Sequence, residues 1–380
     1  EEGVLELSSR VGRPYGLFFT CALYLTIGPF FAIPRCATVS YTVGIERILS
    51  GTGERIGLAV FSFVFFAAVL FFSLRPGELL TWIGKVLNPL FLVVLAILII
   101  RALTTPMGVI SEIEPVGKYS ADAFSSGLLE GYNTMDALAG LAFGIVVVDA
   151  IRRLGVQEPA EVAKSTVRAG VFSSLLMGLI YVLVTVVSAQ SRGVYEVSGN
   201  GGEVLAQIAQ HYFGGVGAVI LAVIVTVACL KTAVGLITSC SETFVKIIPS
   251  GPSYSVWAVG FCVLSFLIAN LGLEAITSYS LPVLMFLYPL AIVLILLTLF
   301  GQAFHHSKVV LRWTIGLTAV AAVFDFFKAL PEATRQLMQL DGLVQWAEGT
   351  IPLADRGFGW VCPAVLGLII GLMAGRKVDQ

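Results

Sequence analysis

Long apolar runs without a charged side chain are the feature that most constrains the fold of this 380-residue chain. A helix needs about 20 apolar residues to cross a bilayer, and only helices and closed barrels satisfy all their backbone polar groups there. Because the runs have helical length, we predict an all-α polytopic membrane protein with about ten transmembrane helices. The predicted spans are Pro14–Pro34 (continuing through Cys36–Ile45), Ile56–Leu74, Val86–Ile100, Gly131–Val148, Ala169–Ser191, Tyr212–Ser241, Ile247–Leu273, Ala275–Phe304, Val309–Leu330 and Gly357–Gly375.

The composition agrees with a membrane protein and argues against other classes. Only 12% of the residues are charged, whereas a soluble domain carries about 25%. The 23 Lys and Arg residues nearly balance the 24 Asp and Glu residues, which leaves no basic face for nucleic acid. The sequence contains no GxSxG, HExxH or Walker motif, and its three histidines lie at the edges of apolar runs. We therefore predict that the chain is not an enzyme and needs no cofactor.

The loops predict the orientation and the number of domains. Ten spans place both termini on one side of the membrane, and Lys and Arg are more numerous on that side. By the positive-inside rule, the termini are predicted to be cytoplasmic. No loop is long enough to bury a core of its own, so residues 1–380 are predicted to form a single membrane domain.

The predicted span at Gly131–Val148 begins abnormally. Only 12 uncharged residues lie between Asp136 and Asp149, and the stretch Gly131–Asp136 is poorly suited to face lipid. Non-helical backbone at membrane depth persists only where it is buried in protein or lines a watery cavity. A short, Gly-interrupted apolar segment is typical of a transporter's binding site. We therefore predict a broken helix with a ligand site at the break.

The restarting helix explains which residues would bind the ligand. A helix that begins at Thr134 or Asp136 presents unpaired N–H groups and a positive dipole end, which bind a carboxylate. The alternative is that Asn133 or Thr134 only caps a helix at the membrane surface. Asp136 either binds a cation or proton or merely stabilises its own helix end. The predicted substrate-binding residues at the break are Gly131, Tyr132, Asn133, Thr134 and Asp136.

Two further stretches place unusual residues inside apolar runs. In GPFFAIPR, residues 28–35, Pro29 and Pro34 each remove a backbone donor and should kink the helix. In GLITSCSETF, residues 235–244, Thr238, Ser239 and Ser241 place hydroxyls near a helix end. Hydroxyl oxygens suit a hard cation such as Na⁺. Taken alone, these residues favour the simpler explanation that the hydroxyls bond to the preceding turn or join helices.

Three stretches together resemble one known family, the branched-chain amino acid:cation symporters (LIVCS). They are GPFFAIPRCATVSYTVGIE (28–46), GYNTMDALAGLAFGIVVVDAIR (131–152) and TAVGLITSCSETF (232–244), and the likeness extends over essentially the whole chain. The resemblance implies import of leucine, isoleucine and valine, driven by Na⁺ or H⁺, across a bacterial cytoplasmic membrane.

The resemblance also implies a fold and an ion site. It implies a LeuT-type arrangement of two inverted five-helix repeats, each with a broken first helix. Gly131–Asp136 would then be the break of the second repeat. Thr238 and Ser239 would lie in the helix that supplies hydroxyls to Na⁺, which makes them the predicted metal ligands.

Relative to that family, the chain is expected to lack two helices. Members usually have twelve spans, two of which precede the GPFFAIPR helix. The missing first helix would carry the other break and about half of the binding site. We therefore expect that the 380-residue chain cannot transport by itself.

The expected substrate is a zwitterionic amino acid held by helix ends and backbone carbonyls in mid-membrane. Its branched side chain would fill an apolar pocket lined from Leu25–Phe31 and Ala137–Phe143, with Gly28 and Phe31 among the substrate-binding residues. One methylene in such a pocket is worth only about 1–3 kcal/mol, so leucine, isoleucine and valine should all be accepted. An amino acid sensor and a channel-like protein without coupled transport remain the alternatives.

Overall fold

The computed structural model describes residues 3–46, 52–75 and 78–375, and every regular element in these residues is a helix. The α-helices are α1 (Val4–Ser9), α2 (Arg13–Leu25), α3 (Ala32–Gly44), α4 (Thr52–Leu74), α5 (Glu78–Thr104), α6 (Ala123–Glu130), α7 (Asp136–Arg153), α8 (Pro159–Ser191), α9 (Gly201–Ile247), α10 (Tyr254–Ala269), α11 (Leu273–Leu299), α12 (Lys308–Ala329), α13 (Glu332–Leu337), α14 (Asp341–Thr350) and α15 (Val361–Gly375).

The apolar helices coincide with the predicted spans. Within the described ranges, seven helical segments are long and apolar enough to cross a membrane. Three shorter apolar helices, Pro89–Thr104, Tyr254–Ala269 and Val361–Gly375, fall on the remaining predicted spans. The prediction of an all-helical, polytopic membrane protein is confirmed, while ten crossings stay a prediction.

Several helices extend beyond their apolar runs. α8 begins at Pro159, well before the predicted run at Ala169, and its first turns are polar, with Lys164 Nζ 3.5 Å from Glu161 Oε1. α9 likewise begins at Gly201 rather than Tyr212. An uncharged run identifies the part of a helix that can face lipid. The helix itself can be longer, because polar turns form the same backbone hydrogen bonds.

The outer face of α8 is apolar over several turns. Val171, Phe172, Leu175, Leu179 and Val182 are all exposed. A continuous exposed apolar surface of this kind is unstable in water but matches a hydrocarbon environment. The exposure pattern therefore agrees with a helix that faces lipid.

The helices group into two compact units, each assembled from separate stretches of the chain. Unit 1 comprises Glu1–Ile27, Val116–Val147 and Thr277–Gln380, and unit 2 comprises Gly28–Pro115 and Val148–Ile276. The chain therefore passes repeatedly from one unit to the other. The first passage, between Ile27 and Gly28, falls at the start of the GPFFAIPR stretch, where the proline residues predicted a break.

Unit 2 has its core where α3, α5, α8 and α9 meet. Val43, Leu98, Val187, Ile208 and Leu221 are buried there in one apolar cluster. At 1.5 Å per residue, a straight α9 of 47 residues would be about 70 Å long, more than twice the thickness of the hydrocarbon layer.

α9 is in fact kinked at Gly214. The backbone there has φ 62° and ψ −161°, a combination that is accessible essentially to glycine alone. The kink divides the helix into a shorter first part and a longer second part.

Unit 1 contains a close pair of helices, α12 and α15. A Cβ at Gly371 would lie 2.7 Å from Val310 Cα, and one at Gly367 would lie 2.8 Å from Thr314 Cα. The two backbones therefore touch where glycines face them, which is how helices in membranes often pack.

Candidate functional site

The predicted break in the fourth span is present. α6 ends at Glu130, a 3₁₀ turn covers Gly131–Thr134, and Met135 has the left-handed conformation with φ 60° before α7 begins at Asp136. The interruption lies inside a helical segment that extends from Ala123 to Arg153 and has 31 residues. The break is therefore flanked by helix on both sides.

Thr134 connects the turn to the new helix. Its hydroxyl donates to the Gly131 carbonyl at 2.8 Å and accepts from the Asp136 amide at 3.4 Å. The bond at 3.4 Å is long for a backbone donor. The first backbone bond of α7 joins the Ala139 amide to the Met135 carbonyl at 2.9 Å. Thr134 thus acts as the cap that the alternative interpretation expected, and it occupies one of the early amides of α7 only weakly.

Tyr132 and Tyr288 form an aromatic pair beside the break. Their rings are stacked, with centroids 4.2 Å apart and planes 5° from parallel, and both residues are buried. The Tyr288 hydroxyl lies near the Thr134 side chain and the Ala137 amide. It nevertheless forms no well-aligned hydrogen bond with any described residue. A buried hydroxyl without such a bond is costly.

Sequence reasoning missed Tyr288. The only signal in the sequence is its place between Pro282 and Pro289 in the eighth predicted span. Helix α11 contains both prolines and carries the tyrosine ring to the break.

Asn133 is bonded to the preceding helix. Its Nδ2 donates to Glu130 Oε2 at 2.7 Å, and the other carboxylate oxygen of Glu130 pairs with Lys118. Asp136, the first residue of α7, is half-buried, and a negative charge at this position is stabilised by the helix dipole. Its predicted role in cation or proton binding stays a prediction.

Asp122 caps α6 outside the membrane-spanning segment. Its Oδ1 accepts from the Ser125 amide at 3.1 Å, and hydrogen bonding to Ser125 holds the pKa of the Asp122 carboxyl below its ordinary value. Because the folded pKa is lowered, the stabilising effect of this cap is present above the ordinary carboxyl pKa. It is lost as the pH falls through the lowered value.

The GPFFAIPR stretch is also broken, at its first proline. A π-helical turn covers Thr26–Phe30, and Gly28 within it has non-helical angles of φ −102° and ψ −123°. The Ser265 hydroxyl donates to the Pro29 carbonyl at 3.2 Å. The prediction of a second kink at Pro34 is wrong, because Pro34 lies in the first turn of α3, where its missing donor removes no helical bond.

The helix with the predicted cation ligands packs against this break. A Cβ at Gly28 would lie 2.6 Å from Cys240 Sγ, so the end of α9 touches the backbone at Gly28. In the same helix, the Thr238 hydroxyl lies 3.4 Å from the Tyr254 hydroxyl, and Ser239 is half-buried. Unit 2 thus brings Thr238 and Ser239 to the neighbourhood of the non-helical turn.

Phe31 is the remaining predicted substrate-binding residue. Phe31 is half-buried and contacts Phe30 edge to face, with ring centroids 6.3 Å apart. Over the described part of the chain, no three His, Cys, Asp or Glu side chains cluster in a way that could hold a metal ion. Gly131–Asp136 belongs to unit 1, whereas Gly28, Phe31, Thr238 and Ser239 belong to unit 2. That the two sets form one site stays a prediction.

Comparison with known proteins identifies the family. A family model described as branched-chain amino acid transport protein matches residues 1–378. The chain belongs to this family. Branched-chain amino acid permease BrnQ of Lactobacillus delbrueckii subsp. lactis is 51% identical over 378 residues, which is 99% of this chain and 83% of the relative.

More distant relatives have the same character. Branched-chain amino acid permease BraB of Bacillus subtilis is 36% identical, over 96% of this chain and 80% of the relative. The branched-chain amino acid transport system 2 carrier protein of Pseudomonas aeruginosa is 37% identical, over 100% of this chain and 83% of the relative. The family is one of transport proteins and not of enzymes, as the sequence predicted.

The expectation of two missing helices finds no support in these matches, and the expectation that the chain cannot transport by itself, which rested on it, loses its basis. The family model matches the chain from its first residue to residue 378.

Proposed function

We propose that this protein is a secondary active transporter that imports leucine, isoleucine and valine by symport with a cation. The broken helix at Gly131–Met135 is the observation that carries the proposal. A transporter that releases its substrate needs only backbone groups, hydroxyls and few charges, and the break supplies these inside a span. The relatives named above are permeases or carriers of branched-chain amino acids, which supports this substrate class.

The substrate carboxylate would bind at the start of α7. The early amides of a helix and its positive dipole end favour a carboxylate. The Tyr288 hydroxyl, which lies beside Thr134 and Ala137 and forms no well-aligned hydrogen bond with the described residues, would donate a further hydrogen bond to the carboxylate. Gly131, where an added Cβ would meet nothing within 4 Å, leaves space for the ligand beside the turn.

The coupling cation is proposed to be Na⁺ or H⁺. For Na⁺, the Thr238 and Ser239 hydroxyls near the Gly28 turn would supply oxygen ligands, together with carbonyls freed by the non-helical backbone. For H⁺, an acid within a span such as Asp136 would carry the proton. We further propose a LeuT-type inverted-repeat fold in a bacterial cytoplasmic membrane, with cytoplasmic termini. The interrupted helix at Gly131–Thr134 agrees with the broken helix that such a fold contains.

Leucine binding to the purified protein in detergent tests the proposed substrate class. Unlabelled isoleucine should displace labelled leucine at similar concentrations, and valine at concentrations roughly 10- to 200-fold higher, because valine has one methylene fewer. Glycine, which cannot fill an apolar pocket, and glutamate, which would bury a charge, should not. Displacement by glycine or glutamate as effective as that by valine would contradict the proposal.

The same assay separates the two cations. If Na⁺ is the coupling ion, replacing Na⁺ by choline weakens leucine binding, and Thr238→Ala or Ser239→Ala raises the Na⁺ concentration required. Thr232→Ala is a matched control, since Thr232 lies in the same helix, is exposed, and bonds to the Ala228 carbonyl of the preceding turn. An equal effect of Thr232→Ala would contradict the assignment of Thr238 and Ser239.

A further inference from the structure

Unit 1 contains a cavity of about 700 Å³ next to the broken span. Residues from the end of α6, from α11 and α12, and from the chain before α15 line it. Its charged wall residues, apart from Asp325, are Lys118, Asp122, Glu130, Lys328, Asp355 and Arg356. The cavity therefore combines an apolar part with a dense set of charges of both signs.

The charged side chains of this wall other than Asp325 are paired within the described residues. Lys118 pairs with Glu130, and Arg356 lies 3.9 Å from both Asp122 Oδ2 and Asp355 Oδ2. Lys328 Nζ lies 2.8 Å from Glu348 Oε1 and donates to the Ala354 and Asp355 carbonyls. Each of the six therefore has an oppositely charged neighbour, and Arg356 is shared between two carboxylates.

Asp325 is different. It lies in α12, a candidate membrane span, and is only 2% exposed. Its Oδ2 is completely buried and has no hydrogen-bond partner among the residues that the structure describes. Lys328, one turn further along α12, is the nearest cation in sequence, but its ammonium group is held by Glu348 and two carbonyls.

The surroundings of the carboxyl group offer little to compensate a charge. Tyr132, from the broken span, is the other titratable group that acts on it electrostatically. Gly359 is also close, since an added Cβ there would come 3.3 Å from Asp325 Oδ1. An isolated ionised carboxylate in such a place costs so much free energy that the group becomes neutral or acquires a cation.

The number of ligands decides between a proton and a metal ion. A hard metal cation needs several converging oxygens, and the described residues hold no cluster of acidic, Cys or His side chains that could supply them. A proton needs only one carboxylate oxygen. We propose that Asp325 is a proton-binding site that is neutral in this structure and exchanges its proton with water through the cavity.

This site deepens the proposed transport function, on which its physiological role rests. An acid that gains and loses a proton beside the broken helix would make leucine uptake depend on pH. The break and the acid are linked through Tyr132, which stacks on Tyr288 and lies within electrostatic reach of Asp325. Proton binding itself can be measured without substrate.

Infrared difference spectroscopy of the purified protein between acidic and mildly alkaline buffer tests the proposal. Exposed carboxyl groups stay ionised above about pH 5, so a protonated-carboxyl C=O band that titrates above this pH reports a buried acid. The band should be present in the wild type, absent in Asp325→Asn and retained in the matched control Asp355→Asn, which changes an exposed acid of the same cavity wall. Retention of the band in Asp325→Asn, or no titrating band in the wild type, would overturn the proposal.

Two further measurements keep the result unambiguous. If Asp325→Asn does not fold, as judged by its thermal unfolding, Asp325→Glu should fold and shift the frequency of the band. An unshifted band in Asp325→Glu would overturn the proposal. Leucine uptake by the wild type, measured on the same preparation, tests the transport function separately. A band that responds to Asp325 in a protein that does not take up leucine would contradict the transport function alone.

Discussion

At the scale of single residues, the Tyr288 hydroxyl is the most informative atom at the break. Its ring is fixed by the stack on Tyr132, so the hydroxyl is held beside the first amides of α7. A donor held in place in this way loses little entropy when a ligand binds. On the proposed function, the pair would let a short turn without a cationic side chain bind the substrate carboxylate.

Replacing Tyr288 by Phe should weaken leucine binding without lowering the thermal stability of the protein. The stack remains, while one hydrogen bond to the ligand carboxylate, worth about 1.5–3 kcal/mol, is lost, which raises Kd roughly 10- to 150-fold. Titration calorimetry would give the affinity and thermal unfolding the stability. Tyr279→Phe, on an exposed position of the same helix, should change neither. Unaltered leucine affinity in Tyr288→Phe would remove Tyr288 from the site.

A second residue-scale prediction concerns the contact between Gly28 and Cys240. Gly28→Ala would force a methyl group against the buried Cys240 sulfur, and overpacking of this kind costs about 1–3 kcal/mol. The unfolding temperature should fall, and the additional change Cys240→Ala should restore most of it. Gly235→Ala, at a position in α9 with nothing within 4 Å, is the control. No recovery in the double variant would show that the two residues do not touch.

Sequence reasoning located the break but not all of its partners. Gly131–Asp136 was predictable because charges on both sides left a span too short for a bilayer. Tyr288 and Asp325 were not, because each comes from a helix distant in sequence and only packing brings it to the break. The sequence shows Asp325 as an acid in the ninth predicted span. It does not show that the chain around Gly359 packs against the carboxyl group, or that Asp325 Oδ2 is buried without a hydrogen-bond partner among the described residues.

At the scale of the helices, the uncharged apolar runs predicted which segments are apolar enough to cross a membrane better than they predicted where the helices end. α8 and α9 extend beyond their apolar runs because polar turns continue the backbone hydrogen bonds outside the lipid. The kink at Gly214 could not be predicted, since a glycine in an apolar run indicates neither a left-handed backbone nor a straight helix. At Pro34, by contrast, the sequence predicted a kink that is absent, because a proline in the first turn leaves its helix intact.

The pairing of α12 with α15 gives an element-scale prediction. Gly371→Ala places a methyl group 2.7 Å from Val310 Cα, and because the obstacle is backbone, the helices must separate. We expect a loss of about 1–3 kcal/mol in the free energy of unfolding, measured as a lower thermal midpoint. Gly316→Ala, in α12 with nothing within 4 Å, should be neutral or slightly stabilising. Equal effects of the two substitutions would contradict the close packing of this pair.

At the scale of the whole molecule, the two units divide the proposed chemistry. Unit 1 holds the broken span, the tyrosine pair and the buried acid, while unit 2 holds the Gly28 turn and the hydroxyls of Thr238 and Ser239. A transporter that couples two solutes needs structural elements whose conformation responds to the binding of each solute. The division between units could not be predicted from the sequence, because each unit is composed of stretches that alternate along the chain.

The most direct test of coupled transport is uptake of labelled leucine into liposomes that contain the purified protein. An inward Na⁺ gradient, an inward H⁺ gradient and no gradient would be compared in otherwise identical vesicles. We predict saturable accumulation above the external concentration under at least one gradient, and its collapse when an ionophore abolishes that gradient. Equilibration without a gradient that does not saturate with leucine, or no uptake under either gradient, would contradict the proposal of a cation symporter.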